Sequence, residues 1–450
     1  MSSRKTLLCN IGLAFLFAFF SLSFCHAEET NPVPPFSPDD KVLILAPHPD
    51  DEAIGTAGVI QRALKANAKV RVVLFTNGDN NELSFIVYEK RLTFARKEFL
   101  HMGEVRRKET LLGVNSLGLN QDDVVFLGYP DFGTMEILTK YWGDTEPYLS
   151  MFPRVTKVSY PEAQSFNAPY VGESILKDIQ RILQDFKPNK IFVSHPDDTN
   201  VDHQALYLFL RICLWDLEGQ IKQPEVYPYI IHVPSWPEPR GFHPELGLNP
   251  PDSLHNSEIR WQRLELPNEE IQKKYDAIKY YKSQIEYDPA YLFTFARKNE
   301  LFGDYPILTL KPQQEKEEIQ WENLEFADTP DRISDLAYAR HGDNLFVRIR
   351  LNRYIAKMFD ITVFLLGYSK EVEFSNMPKI HLYADTEGLR VRDKRQALFI
   401  KDIKLEDKKK ELIFRIPLSV LGRPRYILAC AKTHAHDLSL DETSWRILAL

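Results

Sequence analysis

The sequence predicts an α/β domain with a doubly wound, mainly parallel sheet, followed by an antiparallel β-sandwich. Three observations carry this. Buried-type apolar runs alternate with helical periodicity from residue 41 to about residue 284, the pattern of strands joined by helical crossovers. Beyond a charged, proline-marked stretch at 311–318 the apolar runs turn short and β-like. The 450 residues also exceed the ~250–300 that one hydrophobic core usually serves. Composition is that of a globular protein, 44% hydrophobic and 26% charged with net charge −7. Without a basic excess, a nucleic-acid scaffold built on phosphate neutralisation is excluded.

The elements follow in order. Residues 1–27 read as a signal peptide: Arg4 and Lys5 precede an apolar stretch at 11–20, and Cys25-His26-Ala27 sets small residues before a cleavage point at Glu28. The expected protein is exported, periplasmic or extracellular, with no transmembrane span left after cleavage; lipid anchoring at Cys25 is the lesser option. Cys213 and Cys430 then remain, far apart in sequence, so no disulfide framework is expected. Residues 41–46 (KVLILA) and 70–75 (VRVVLF) are continuous apolar runs, as in strands buried on both faces. Helical spacing at 53–66 lies between them. Helices at 89–101 and 106–112, a strand at 123–127, a helix at 173–186, a strand at 190–194, a helix at 202–215, a strand at 226–233 and a polar helix at 268–284 complete a Rossmann-like domain spanning 28–310. A linker at 311–318 leads to seven or so short strands at 319–450.

The chemistry is concentrated after two strands. Pro47-His48-Pro49-Asp50-Asp51-Glu52 follows the first, where open α/β sheets bind ligands. Adjacent carboxylates beside an imidazole repel one another unless a cation neutralises them, and a divalent metal does so. Ser194-His195-Pro196-Asp197-Asp198-Thr199-Asn200-Val201-Asp202-His203 follows the fourth strand, so both clusters can face one crevice. Two His and one Asp leave a zinc ion an open position for water, with a second Asp in reach as base. The same ligands suit non-haem Fe(II), though usually presented from a β-sandwich.

The pairing of PHPDDE with a distal Asp-His resembles the LmbE/PIG-L family of zinc-dependent de-N-acetylases. Thr76-Asn77-Gly78-Asp79, Arg106-Arg107-Lys108-Glu109 ahead of Leu112-Gly113-Val114, and Leu127-Gly128-Tyr129-Pro130-Asp131 are similar to the family's further blocks. The resemblance implies Zn²⁺ held by His48, Asp51 and His203, with Asp50 as general base. It implies sugar contacts from Arg106 and Asp131, and a catalytic neighbourhood that includes Asp202. The substrate implied is an N-acetylated amino sugar or glycoconjugate. One departure matters: Asn200 stands where many members carry a histidine that stabilises the oxyanion or protonates the leaving group. His232 and His195 are the candidates to fill that role.

Rival readings concern other residues. A non-catalytic carbohydrate-binding protein with a relic metal site, or an amidase for a non-sugar amide, are the alternatives. Gly55-Thr56-Ala57-Gly58 lacks the G-x-G-x-x-G spacing of a dinucleotide fold and reads as room for a helix to pack on the sheet. Trp236 and Trp261, with the proline-rich stretch 235–251, suit either a sugar-stacking wall or ordinary loop packing. His434 and His436 read as a solvated loop, and Lys408-Lys409-Lys410 as a hairpin turn. The segment Ile416 to Gly422 resembles the last strands of CBM9-like carbohydrate-binding sandwiches.

Overall fold

The structure, a computed structural model, describes residues 30–90, 95–143, 146–254, 258–314, 318–324, 333–352, 359–435 and 438–450. The leader at 1–27 with Cys25, part of the 311–318 linker, and His436 lie outside the described residues.

Eight described strands form the first sheet: Asn31–Pro32 (β1), Lys41–Ala46 (β2), Lys69–Thr76 (β3), Val124–Tyr129 (β4), Lys190–Ser194 (β5), Glu225–Tyr229 (β6), Gln262–Glu265 (β7) and Asn299–Phe302 (β8). Their order is β1-β7-β8-β6-β5-β2-β3-β4, and every neighbouring pair is parallel except the two made by β8. Helices Asp51–Lys65 (α1), Glu82–Glu89 (α2), Arg96–Leu117 (α3), Thr134–Lys140 (α4), Gly172–Phe186 (α5), Val201–Asp216 (α6), Asn268–Ile278 (α7), Lys282–Ile285 (α8) and Pro289–Phe293 (α9) cover it. Both faces of β2 and β5 are covered, which is why their apolar runs do not alternate. Helix α5 buries Ile175, Ile179, Ile182 and Phe186 along one stripe, the i, i+3, i+4 spacing that ties a surface helix to a sheet. The winding reverses beside β2: the chain passes from β2 to β3 on one side and later returns to β5 on the other. The ends of β2 and β5 therefore open the crevice of this sheet.

Some expected elements differ. The helices at 89–101 and 106–112 are replaced by α2 and one long α3, because Gly103 between them does not break the helix but gives the Tyr160 ring room to rest on it. The polar helix at 268–284 divides into α7 and α8. Helix α4 and strands β7 and β8 were not expected.

Beyond residue 307 come Leu308–Thr309 (β9), Pro312–Gln313 (β10), Glu322–Leu324 (β11), Ile333–His341 (β12), Asn344–Leu351 (β13), Phe359–Tyr368 (β14), Lys379–Asp385 (β15), Gly388–Asp393 (β16), Gln396–Leu398 (β17), Lys404–Asp407 (β18), Glu411–Pro417 (β19), Tyr426–Ala435 (β20), Leu438–Glu442 (β21) and Arg446–Ala449 (β22). One sheet runs β10-β12-β13-β19-β18 with β11 on β12; the other runs β17-β16-β15-β14-β20-β22-β9 with β21 on β20. In these two sheets only β10 with β12 and β9 with β22 pair in parallel among the described strands. Leu412, Phe414 and Ile416 alternate inward along β19 and meet Ile361, Val363 and Leu365 of β14, which makes a two-sheet sandwich. Lys408-Lys409-Lys410 is the β18–β19 turn, as expected.

The outer face of the larger sheet packs on the first domain. Leu366, Tyr368, Leu428 and Ile447 share a core with Trp142, Leu206 and Phe209. Trp215 stacks on Tyr426 at 4.5 Å between centroids, and the Tyr368 hydroxyl donates to Asp216 Oδ1 at 3.0 Å. Cys213 and Cys430 are buried free thiols. Among the described residues no helix is long and apolar enough to cross a membrane.

Candidate active site

The loop after β2 turns sharply at Asp50, whose φ of 119° lies where only glycine is comfortable. That turn leads directly into α1, whose first residue is Asp51. Helix α6 begins after β5 with Asn200 as its cap, the Asn200 Oδ1 accepting from the Asp202 N–H at 2.9 Å. His203 thus sits in the first turn of α6, opposite Asp51. Asp51 Oδ2 lies 3.3 Å from His48 Nδ1 and 3.1 Å from His203 Nε2. Three ligand atoms of the kinds zinc takes converge on one point. Each imidazole turns its other nitrogen to a carboxylate: His203 Nδ1 to Asp198 at 3.1 Å, His48 Nε2 to Asp131 at 3.1 Å and Asp202 at 3.3 Å. Metal-binding histidines are oriented this way, by a carboxylate on the far ring nitrogen.

The electrostatics suit a divalent cation. Burial works against charge on His203, yet Asp198 and Asp51 outweigh it and push the imidazole up to about 9. His48 rises likewise, against its burial, through Asp131, Asp202 and Asp51. Burial also opposes the charge on Asp51, but His203 and His48 hold its carboxyl well below the usual range. Protonated imidazoles here balance carboxylates that a divalent ion would balance instead, so the donor set suits such an ion. Asp50 is pushed up to about 8 by burial and by Asp51 and Glu52, against the pull of Arg106.

Arg106, from α3, ties the turn down. Its Nη2 donates to Pro49 O at 2.7 Å and to Asp50 Oδ2 at 3.3 Å, and its Nη1 to Gly78 O at 3.0 Å. Gly78, at φ 64°, leaves that guanidinium space no side chain could share. Behind the turn, Glu52 accepts the Asp50 N–H at 3.0 Å and the Tyr281 hydroxyl at 2.6 Å.

A cleft of about 550 Å³ opens above, lined by His48, Asp50, Arg106, Asp131, Asn200 and His232 among others. The structure brings most of the candidates together, but not Asp202, Trp236, Trp261 and His195. Asp202 lies beneath the floor, its carboxylate taken by the N–H groups of Phe132 and Thr134 and by His48. Trp236 lines a separate pocket, packed on Phe295 with its indole N–H on Asn249 O at 3.0 Å, so it is not a wall of this cleft. Trp261 is buried against His195 and also lies off the cleft. His195 is fully buried behind the site, whereas the His232 ring meets His203 edge-on at 4.8 Å and its Nδ1 lies 3.1 Å from the Tyr291 hydroxyl. Asp198, Tyr291 and Phe132 went unassigned in the sequence. For Asp198 a signal existed, since a metal-binding His needs a carboxylate partner; for Tyr291, in a short helix 59 residues beyond His232, none did.

Comparison with known proteins bears on this arrangement. Residues 43–214 match the family model described as PIG-L, GlcNAc-PI de-N-acetylase, a span that includes both loops but not the sandwich. No curated protein matches the chain. Among solved structures, a conserved protein of Thermus thermophilus is 19% identical over 57% of this chain and 84% of its own, with TM-score 0.34. The N,N'-diacetylchitobiose deacetylase of Pyrococcus horikoshii is 19% identical over 59% and 83%, with TM-score 0.36. The 4-carboxy-2-hydroxymuconate hydratase of Pseudomonas putida is 16% identical over 60% and 99%, with TM-score 0.33. Scores this low say nothing of chemistry. The family match and the two loops it spans agree, and residues 43–214 are a domain of the PIG-L/LmbE family.

Proposed function

We propose that the protein is an exported, zinc-dependent hydrolase that removes the N-acetyl group from an N-acetylated amino sugar or glycoconjugate. One observation carries this reading: His48 Nδ1 and His203 Nε2 converge on Asp51 Oδ2 at the floor of an open cleft, with the Asp50 carboxyl beside them. The family match supports the amide and the sugar. Zinc held by His48, Asp51 and His203 would polarise the amide carbonyl and acidify water at its open position. Asp50 faces the same space and is kept from ligation by the turn that Arg106 holds. It takes the proton of the attacking water and returns it to the departing amine. The Asn200 amide and the His232 ring, both on the cleft wall, lie where hydrogen bonds reach the oxyanion. Asp198, Asp131 and Asp202 fix the ring orientations, and Asp131, which also lines the cleft, is in place to meet the sugar.

The test is acetate release. Protein with one bound zinc is offered a panel of short oligosaccharides containing N-acetylglucosamine. Released acetate supports the reading; none from any member replaces it with that of a sugar-binding protein or of an amidase for a non-sugar amide. The export part is tested separately, by sequencing the N-terminus of protein recovered outside the cytoplasm, which should begin at Glu28.

A further inference from the structure

We propose that the deacetylated sugar is one unit of a longer, carboxylate-bearing glycan whose next units leave the cleft past α4 and lie on the β16–β17 hairpin of the sandwich. The inference rests on the deacetylase reading for the sugar and on its own observations for the path. Phe132, 46% exposed, stands at the cleft rim. The next residue, Gly133, has no side chain, and a Cβ there would meet the Tyr148 ring at 2.5 Å. Tyr148 meets Tyr141 edge-on at 5.4 Å. Across the domain boundary, the Arg395 guanidinium lies 5.0 Å from the Tyr141 ring. On the neighbouring strand Arg392 lies 5.4 Å from the Tyr383 ring, and it pairs in register with His381, which faces Lys140 at the end of α4. Phe132 at the rim, the half-buried Tyr148 and Tyr141, and Arg395 thus mark a path from the cleft to the sandwich.

The charge of the far end selects the occupant. In a chain of net charge −7, the hairpin segment Arg390-Val391-Arg392-Asp393-Lys394-Arg395 holds four cations against one carboxylate. Arg390 is taken by Asp385 at 2.7 Å, whereas Arg392 and Arg395 form no ion pair among the described residues. Flat guanidiniums resting on tyrosine faces are preorganised for a planar anion, and a carboxylate fits them bidentately. The exposed face of Phe132 at the rim suits the apolar face of a sugar ring. A protein partner would instead need a broad apolar patch, and Phe399 (88% exposed) is the one large apolar side chain bare on this edge among the described residues.

Hyaluronan oligosaccharides, which alternate glucuronate with N-acetylglucosamine, are the probe. For the wild-type protein, kcat/KM for acetate release should be higher on a long chain than on a tetrasaccharide, and salt should shrink that ratio. Neutral chitin oligosaccharides of matched length should show a smaller, salt-independent ratio. Arg392→Gln with Arg395→Gln should cut the long-to-short ratio by roughly three- to thirtyfold, as two exposed ion pairs contribute. An unchanged ratio in that variant, or none above one in the wild type, overturns the path. If no oligosaccharide releases acetate, the deacetylase reading fails alone, and anisotropy of a fluorescent hyaluronan chain judges the surface. Weaker binding by the double variant then supports the path, and equal binding overturns it.

Discussion

Asp50 combines two costs that only a functional role accounts for. Its backbone sits at φ 119°, and burial, with Asp51 and Glu52 beside it, pushes its carboxyl up to about 8. Sparsely populated backbone states cost about 1–3 kcal/mol. Asp50→Gly is therefore expected to raise the unfolding free energy by about that much, and Asp50→Ala by less, because Ala keeps the strain; urea melts of the two check it. Both should be inactive. Asp50→Asn should retain zinc and lose turnover by ~10²–10⁴-fold, whereas His48→Ala, Asp51→Ala and His203→Ala should lose the metal itself, read by metal analysis. Asn200 needs a different substitution, since its Oδ1 caps α6. Asn200→Asp keeps the cap, so the melting temperature should hold while kcat falls by about 10²-fold through loss of the amide donor. Unchanged kcat would leave the oxyanion to His232. At this scale the clustering of His48, Asp51 and His203 was legible because chemistry dictates such residue types and loop positions. Asp131 and Asp202 also hold His48, a contact the sequence could not give, because spacing carries no information on which ring nitrogen a carboxylate reaches.

Helix α1 shows how a packing choice fixes the position of the site. The small residues read from the sequence as helix-packing positions do that work in the fold. A Cβ on Gly55 would meet the Tyr229 ring at 2.8 Å, and one on Gly58 would meet Leu266 at 2.5 Å and the Glu300 carboxylate at 2.9 Å. The Tyr229 hydroxyl donates to Leu45 O, on the strand that leads into His48, so ring, helix and strand move together. Gly55→Ala and Gly58→Ala should each cost about 1–3 kcal/mol of stability, by overpacking against residues that have nowhere to move. Denaturant midpoints measure this, and a cost under ~0.5 kcal/mol for either would show that the interface yields. Strands β2, β3 and β5 and helices α5 and α6 were legible because buried runs and amphipathic stripes are strong signals. Strand β8 was not: its four residues include Glu300, whose burial is stabilised from outside the strand by Lys274 at 2.8 Å and by the Gly58 and Val59 N–H groups. Helix α4 is only seven residues long, too short to establish a period.

The two domains behave as one body because they share a core, and the sequence, which showed a composition shift at 311–318, carried no sign of that shared face. Leu366, Leu428 and Ile447, on the outer face of the larger sheet, are buried in a core shared with the other domain. Two histidines are sealed near this contact. Burial, with Arg446 nearby and only Asp198 opposing, pushes His195 down to about 3. Burial, with Lys140 and Arg392 facing it, pushes His381 down to about 3 as well. Both are neutral when folded and titrate near 6.5 when unfolded. The unfolded chain therefore binds the extra proton below pH 6.5, and stability that is complete above that pH is lost as pH falls towards 3. Buried carboxyls pushed up to about 7, such as Asp79 and Asp197, act with the opposite sign, so the wild-type slope alone isolates no residue. His381→Gln isolates one, well away from the metal ligands. At pH 7 the variant should be no more stable than the wild type. As pH falls from 6.5 to 4 it should lose less, by about 1.4 kcal/mol per pH unit, the value of one proton. Urea melts of zinc-loaded protein across that range measure the difference. Parallel stability curves for the two proteins would mean that His381 already takes its proton in the folded state, and that the seal between the domains admits charge.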